Sequence, residues 1–194
     1  MFIRSERLFL RPAWPEDWAE LHAVIDDEQV VRNLARAPWP YGPEDARWFV
    51  GQPQDPQYPN FLVTLPGANG ARLIGSCGLA LSDAGGVELG YWIARNHWGR
   101  GYATEAARAV LSVARAIGHD RIEASHFIDN PASGQVLRKL GFRPTGEWRP
   151  RYSEGRKAVC TAVMFETRLA PVGNGDDDGN DSGGGRSEEV MRAA

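Results

Sequence analysis

Gly99, Arg100 and Gly101 join an alternating apolar run, residues 87–94, to an amphipathic helix that begins at about Tyr102. Glycines at this point let the backbone turn through left-handed conformations and approach a ligand closely. The helix start adds unpaired N–H groups and the positive end of its dipole, so the pattern predicts a pocket for a pyrophosphate. A nucleotide-triphosphate loop, G-x-x-x-x-G-K-[ST], is absent from the chain. Gly99-x-Gly101-x-x-Thr104 imitates a dinucleotide fingerprint, with Glu123 roughly 20 residues further on. Its third position is threonine, however, and Glu123 falls near the start of its predicted strand instead of the carboxyl end where a ribose is held. A glycine-rich connection that binds nothing is the bland alternative, and the apolar helix that follows immediately argues against it.

Other reactive side chains carry weaker signals. Cys77 and Cys160 lie far apart and lack the spacing of a metal site or a redox pair, so both read as buried thiols in a reducing compartment, with neither bridge nor zinc. His97 and His126 read as ordinary polar residues, and no metal site is expected. With 194 residues the chain suits one domain, residues 1–170, followed by a Gly/Asp-rich tail, residues 171–194, too poor in apolar side chains to order itself. A net charge of −3 argues against a nucleic-acid surface. The chain offers neither a signal-peptide core at its start nor an apolar stretch of about 18 residues for a membrane span. A cytoplasmic protein without membrane or nucleic-acid partners is the expectation.

Periodicity supplies the elements that must hold the glycine loop. Residues 7–11 alternate like a strand, and residues 15–26 follow with Trp18, Leu21, Val24 and Ile25 on a helical face. Pro38, Pro40 and Pro43 interrupt the chain around Trp39 and Tyr41, making a candidate lid before a short helix at 43–50. Three strands, residues 60–65, 72–81 and 87–94, are separated by turn chemistry and form an antiparallel meander. A helix with Gly118 as its stop comes next, then a strand at 121–128. Asn130 and Pro131 open another helix as N-cap and first residue, and Gly141 closes it. Strands at 142–148 and 159–169 complete a mixed, mostly antiparallel α/β (α+β) sheet of about seven strands flanked by about four helices.

Four blocks in this order give the chain a resemblance to the GNAT acetyltransferases: residues 6–12, 88–93, 98–106 and 130–142. The branch it looks most like includes the Rim-type N-terminal acetyltransferases of ribosomal proteins, and the likeness covers residues 2–169. The resemblance implies acetyl-CoA as co-substrate. Its pyrophosphate would lie on Trp98, Gly99, Arg100, Gly101, Tyr102, Ala103 and Thr104, and Trp98 departs from the Gln or Arg of the family pattern. The pantetheine arm would run along Tyr91, Trp92, Ile93 and Ala94, beside a bulge that splits the strand, with the Ile93 N–H facing the thioester oxygen. Asn130, Ser133 and Lys139 would border the cofactor.

The same resemblance makes Glu88 the general base, directly or through water, and Ser133 a proton donor to the departing thiolate. Trp39, Tyr41 and Glu88, with the segment 148–152, would line the acceptor cleft. The acceptor is a primary amine, on a peptide terminus such as that of a ribosomal protein or on a small molecule. An α-amine, with a reference pKa near 7.7 to 8.0 against about 10.4 for lysine, is the easier nucleophile to deprotonate. A homodimer is allowed for. The competing reading is an acyl-CoA-binding module that keeps the fold and has lost turnover.

Overall fold

The computed structural model describes residues 1–68, 70–82 and 84–169; the expected tail lies outside them. Eight strands form one sheet in the order β1-β2-β3-β4-β5-β6-β8-β7. They are β1 (Ile3–Arg4), β2 (Phe9–Arg11), β3 (Asn60–Leu65), β4 (Arg72–Leu81), β5 (Val87–Ile93), β6 (Arg121–Phe127), β7 (Arg143–Ser153) and β8 (Ala158–Arg168). The helices are α1 (Trp18–Ile25), α2 (Glu28–Val31), α3 (Pro43–Val50), α4 (Tyr102–Ala116) and α5 (Pro131–Lys139). Every neighbouring pair of strands is antiparallel except β5 and β6. The sheet thus has one strand and one helix more than expected, because β1 and α2 are only two and four residues long and show no period. None of the described helices is long and apolar enough to cross a membrane.

Helix ends follow the chemistry of their residues. Gly118 and Gly141 take φ of +94° and +86°, and the N–H groups that follow bond back in the Schellman pattern. His119 N–H reaches the Ala114 carbonyl at 2.9 Å, and Phe142 N–H reaches that of Leu137 at 3.1 Å. The Asn130 side chain accepts from the Ser133 N–H and caps α5. By contrast, α4 has no side-chain cap, so its first turn keeps N–H groups to offer.

Apolar side chains pack on both faces of the sheet. One cluster joins Leu89 and Ile93 to Ala106, Val110 and Ala114 of α4 and to Leu137 of α5. The other gathers Leu21, Ile25, Val31, Tyr41, Ala46 and Val50 against Leu62 and Leu73. The stretch expected as a lid belongs to this second cluster, with Tyr41 only 5% exposed and Trp39 packed against it. Cys77 is buried as expected, whereas Cys160 is half-buried, because β8 there pairs with the outermost strand and has little to cover it.

Between β5 and β6 the sheet opens. The two are paired only at Glu88 and Glu123, and beyond that point they part. The bulge expected in β5 lies elsewhere: β4 and β5 pair in unbroken register from Gly75/Ile93 to Leu81/Val87, and the shift falls between β3 and β4. Ala94 N–H donates to the Ile74 carbonyl, so alternation turns the main-chain groups of Leu89, Tyr91 and Ile93 toward the gap.

Glu105, in the first turn of α4, pins the loop at the end of this gap. Its carboxylate accepts from the Ser5 hydroxyl, the Arg7 N–H and the Arg7 guanidinium, all at 2.7 Å, while Arg7 also donates to the Arg100 carbonyl at 3.0 Å. Burial pushes the Glu105 carboxyl up, but these bonds outweigh it and hold the group below the usual range. Its stabilising effect is therefore full above the unfolded value near 4.3 and is lost as pH falls through the lower folded value. Glu105→Gln should lower Tm at pH 7 by about 3–6 °C, on about 1–2 kcal/mol for a charged hydrogen-bond cluster with one exposed partner. In thermal melts the deficit should shrink below pH 4, and a constant deficit down to pH 2 would refute this role.

Candidate active site

The gap leads to the glycine loop. Gly99 and Gly101 adopt φ of +74° and +80°, the conformations that only glycine takes without strain. The Trp98 indole N–H donates to the Ile93 carbonyl at 2.6 Å and so ties the loop to the end of β5. A substitute without that ring nitrogen would free the strand end, which gives the departure at position 98 a local function. His97, just before it, is 7% exposed, and its Nδ1 is the one buried side-chain nitrogen or oxygen without a partner among the described residues. Burial, with the charges of Arg100 and Arg72 adding, lowers its pKa, so the ring stays neutral at pH 7.

A cavity of about 1060 Å³ runs along the gap and is bordered from both faces of the sheet. On the α4 and α5 face it meets Tyr91, Asn130, Ser133 and Lys139. The Tyr91 hydroxyl and Ser133 Oγ are 2.8 Å apart, and the Tyr91 hydroxyl also donates to the Ser133 carbonyl at 3.2 Å. Burial raises the Tyr91 pKa, so this pair holds its protons at neutral pH.

On the α1 and α3 face the cavity meets Tyr41, Asp45, Phe49, Glu88, Ser125 and Arg151. Burial, with Asp45 adding, pushes the Tyr41 hydroxyl up to about 12. Glu88 is held by both oxygens: Arg151 Nη1 bonds Oε1 and Nη2 bonds Oε2 at 2.9 Å. Ser125 Oγ stands between the two, donating to Glu88 Oε1 at 3.2 Å and accepting from Arg151 Nη1 at 2.7 Å. Both charged side chains are largely covered, at 13% and 25% exposure. Alternation along β5 explains the separation, since Glu88, Gly90 and Trp92 face one way and Leu89, Tyr91 and Ile93 the other.

Most of the residues selected from the sequence converge here. Tyr91, Trp92, Ile93, Trp98, Gly99 and Gly101 border the cavity, as do Tyr102, Ala103 and Thr104. Others fall outside its wall. Ala94 is buried beside it, Arg100 contributes a carbonyl to Arg7 while its side chain is exposed, and Trp39 packs into the core. From the segment 148–152 only Arg151 reaches the cavity; Trp148 is 65% exposed because it lies on the outermost strand. Sequence reasoning missed Ser125, Arg7 and Glu105, and it included Arg151 only as part of a cleft-lining segment, without its bond to Glu88. Glu105 and Arg7 lay inside the blocks of resemblance, but nothing in their spacing paired them.

Known proteins are similar to this chain in sequence and fold. The family model described as Acetyltransferase (GNAT) domain matches residues 7–143. The uncharacterized N-acetyltransferase p20 of Bacillus licheniformis is 33% identical over 170 residues, 84% of this chain and 93% of that protein. The acetyltransferase (GNAT family) from Bacillus anthracis superposes with a TM-score of 0.72 at 26% identity, over 87% of this chain and 98% of that one. RimL, a ribosomal L7/L12 alpha-N-protein acetyltransferase solved in complex with coenzyme A, has the same fold at a TM-score of 0.68 and 19% identity, with the same coverage.

Gly90 faces the Glu88 side of the cavity, and a Cβ built on it meets nothing within 4 Å. A strand tolerates valine well, so Gly90→Val should fold normally and fill that half. Calorimetry should find coenzyme A affinity within about twofold of wild type, with turnover of an amine at least tenfold lower. Equal losses in both would show that the two halves are not separate.

Proposed function

Because the chain belongs to the GNAT acetyltransferase family, we propose that it moves the acetyl group of acetyl-CoA to a primary amine, of a peptide terminus or a small molecule, by direct attack in a ternary complex. The observation that carries this reading is the gap between β5 and β6, with an uncapped helix start at its end and a carboxylate on its far face. Acetyl-CoA fits it group by group. The pyrophosphate meets the positive-φ loop and the free N–H groups of the first turn of α4, a site that favours an anion by about 0.3–2 kcal/mol. The pantetheine amides take the place of a strand along Tyr91 and Ile93, which lie beyond the single β5–β6 bridge at Glu88, with the Ile93 carbonyl already taken by the Trp98 indole. Ala94 continues that edge, and Lys139 and Asn130 border the cofactor half.

The amine enters from the α1 and α3 face, beside Tyr41 and Glu88. Its lone pair attacks the thioester carbon while the Ile93 N–H polarises the carbonyl oxygen. The C–N bond forms, the C–S bond breaks, the amine proton passes to Glu88 directly or through water, and the thiolate takes a proton from Ser133, backed by Tyr91. Arg151 holds both Glu88 oxygens, so base catalysis requires an approaching ammonium to win one of them. Free thiols at Cys77 and Cys160 suit the reducing cytoplasm.

Thiol release from acetyl-CoA, followed with a panel of peptides and small amines, tests the activity. Glu88→Gln should cut kcat at least a hundredfold with coenzyme A affinity nearly unchanged. Normal turnover at saturation in this variant would remove Glu88 from the base role.

A further inference from the structure

We infer that the acceptor is an amine carrying a carboxylate on the neighbouring carbon, a free α-amino acid, with Arg151 and Arg36 as its carboxylate-binding residues. The inference rests on the acetyltransferase reading and names the substrate class of that same site.

The argument is one of charge. Glu88, the group an ammonium would seek, is already neutralised by Arg151, and the two are bonded side by side in the cavity wall with most of their side-chain surface covered. A plain amine that docks on Glu88 arrives as a cation beside the Arg151 guanidinium and must displace it with nothing to give in return. With both side chains largely covered, that repulsion is screened less than between charges on an open surface. A zwitterion removes the conflict, because its ammonium takes a Glu88 oxygen while its carboxylate takes the guanidinium edge thus released. The planar fork of arginine matches a carboxylate with two bonds.

The surroundings supply a second cation. Arg36 is exposed and makes no ion pair or hydrogen bond among the described residues, and it borders both the main cavity and an adjoining recess of about 450 Å³ that it shares with Arg151, Tyr152 and Glu154. Its place beside Arg151 is fixed by the main chain. Glu154 N–H donates to the Ala35 carbonyl at 2.8 Å, Ser153 Oγ to that of Leu34 at 3.2 Å, and Arg156 Nε to that of Arg32 at 2.6 Å. These bonds clamp the β7–β8 turn to residues 32–35. Two carboxylates lie nearby: Glu154 is paired with Lys157 and Asp45 accepts from the Gly42 N–H at 2.8 Å, so each opposes an incoming anion less than a bare charge would. Tyr41, Trp48, Phe49 and Leu34 line the same half of the cavity and leave room for an apolar side chain on the acceptor.

The test compares each common α-amino acid with its amide and its decarboxylated amine, together with short peptides, in the thiol-release assay. The best amino acid should exceed its amide and its amine at least tenfold in kcat/KM. Arg151→Gln should bring that ratio near one with the dissociation constant of acetyl-CoA unchanged, and Arg151→Lys should restore part of the preference. Arg36→Gln, an exposed change that leaves folding intact, should raise KM for the acids about threefold or more and leave KM for the amines unaltered. Amides, amines or peptides used as well as acids would overturn the inference while the acetyltransferase reading stands, as would a preference that survives in Arg151→Gln. Failure of every amine and peptide with folded protein that binds acetyl-CoA would overturn both.

Discussion

Two parallel strands that touch at one residue pair and then separate set the terms for the whole molecule. Buried main-chain N–H and C=O groups without partners cost about 1–3 kcal/mol each, so a sheet does not open in its middle without a reason. Here β5 gives its inner groups to β4 in unbroken register and leaves its outer groups facing the gap beyond Glu88. The bonds forgone by this edge are the bonds a bound chain with amide groups can make. The opening is kept in place by what surrounds it: α4 and the glycine loop at one end, and the β6–β8 pairing on the far side, which runs from Arg121/Arg168 to Phe127/Ala162.

Long-range polar contacts then aim the parts. The Glu105 cluster reaches back 100 and 98 positions to Ser5 and Arg7 and fixes the carbonyl of Arg100. A similar cluster works at the other mouth, where Arg32 and Arg156 share the carboxylate of Asp129. The hydrogen bond from Arg156, with the nearby charges of both arginines, holds the Asp129 carboxyl below its usual value against the opposing effect of burial. Gly155 makes this approach possible, since a Cβ there would stand 2.7 Å from a Val31 methyl carbon. One set of contacts braces the glycine-loop end of the cavity and the other its Arg151 end.

Much of this was legible in the residues. Strands β3, β4 and β5 fall within one residue of their expected limits, because turn chemistry brackets them and alternation marks their faces. The helices α4 and α5 end where Gly118 and Gly141 allow a left-handed residue. The glycine loop could be located because its requirements, two positive-φ positions and a helix start, are local. What escaped was of two kinds. Elements of two to four residues have no period to detect, and β7 runs to Ser153 through Gly146 and Pro150, residues that read as breakers but are tolerated on an outermost strand. The Glu88–Arg151 pair is the other kind. Its members are 63 positions apart and meet only because β6 and β8 bring β7 round to the same face, which no spacing in the sequence encodes.

The side-to-side alternation of β5 has a consequence for how such a molecule diversifies. Residues of the Glu88 half of the cavity come from 33–55 and 151–154 and from the even positions of β5, while residues of the glycine-loop half come from its odd positions and from α4 and α5. A change of taste at the first mouth need not disturb the grip at the second. The fold behaves like a handle with an exchangeable bit: one surface stays constant for the common acyl carrier, and loops on the opposite surface are at liberty to drift toward new recipients.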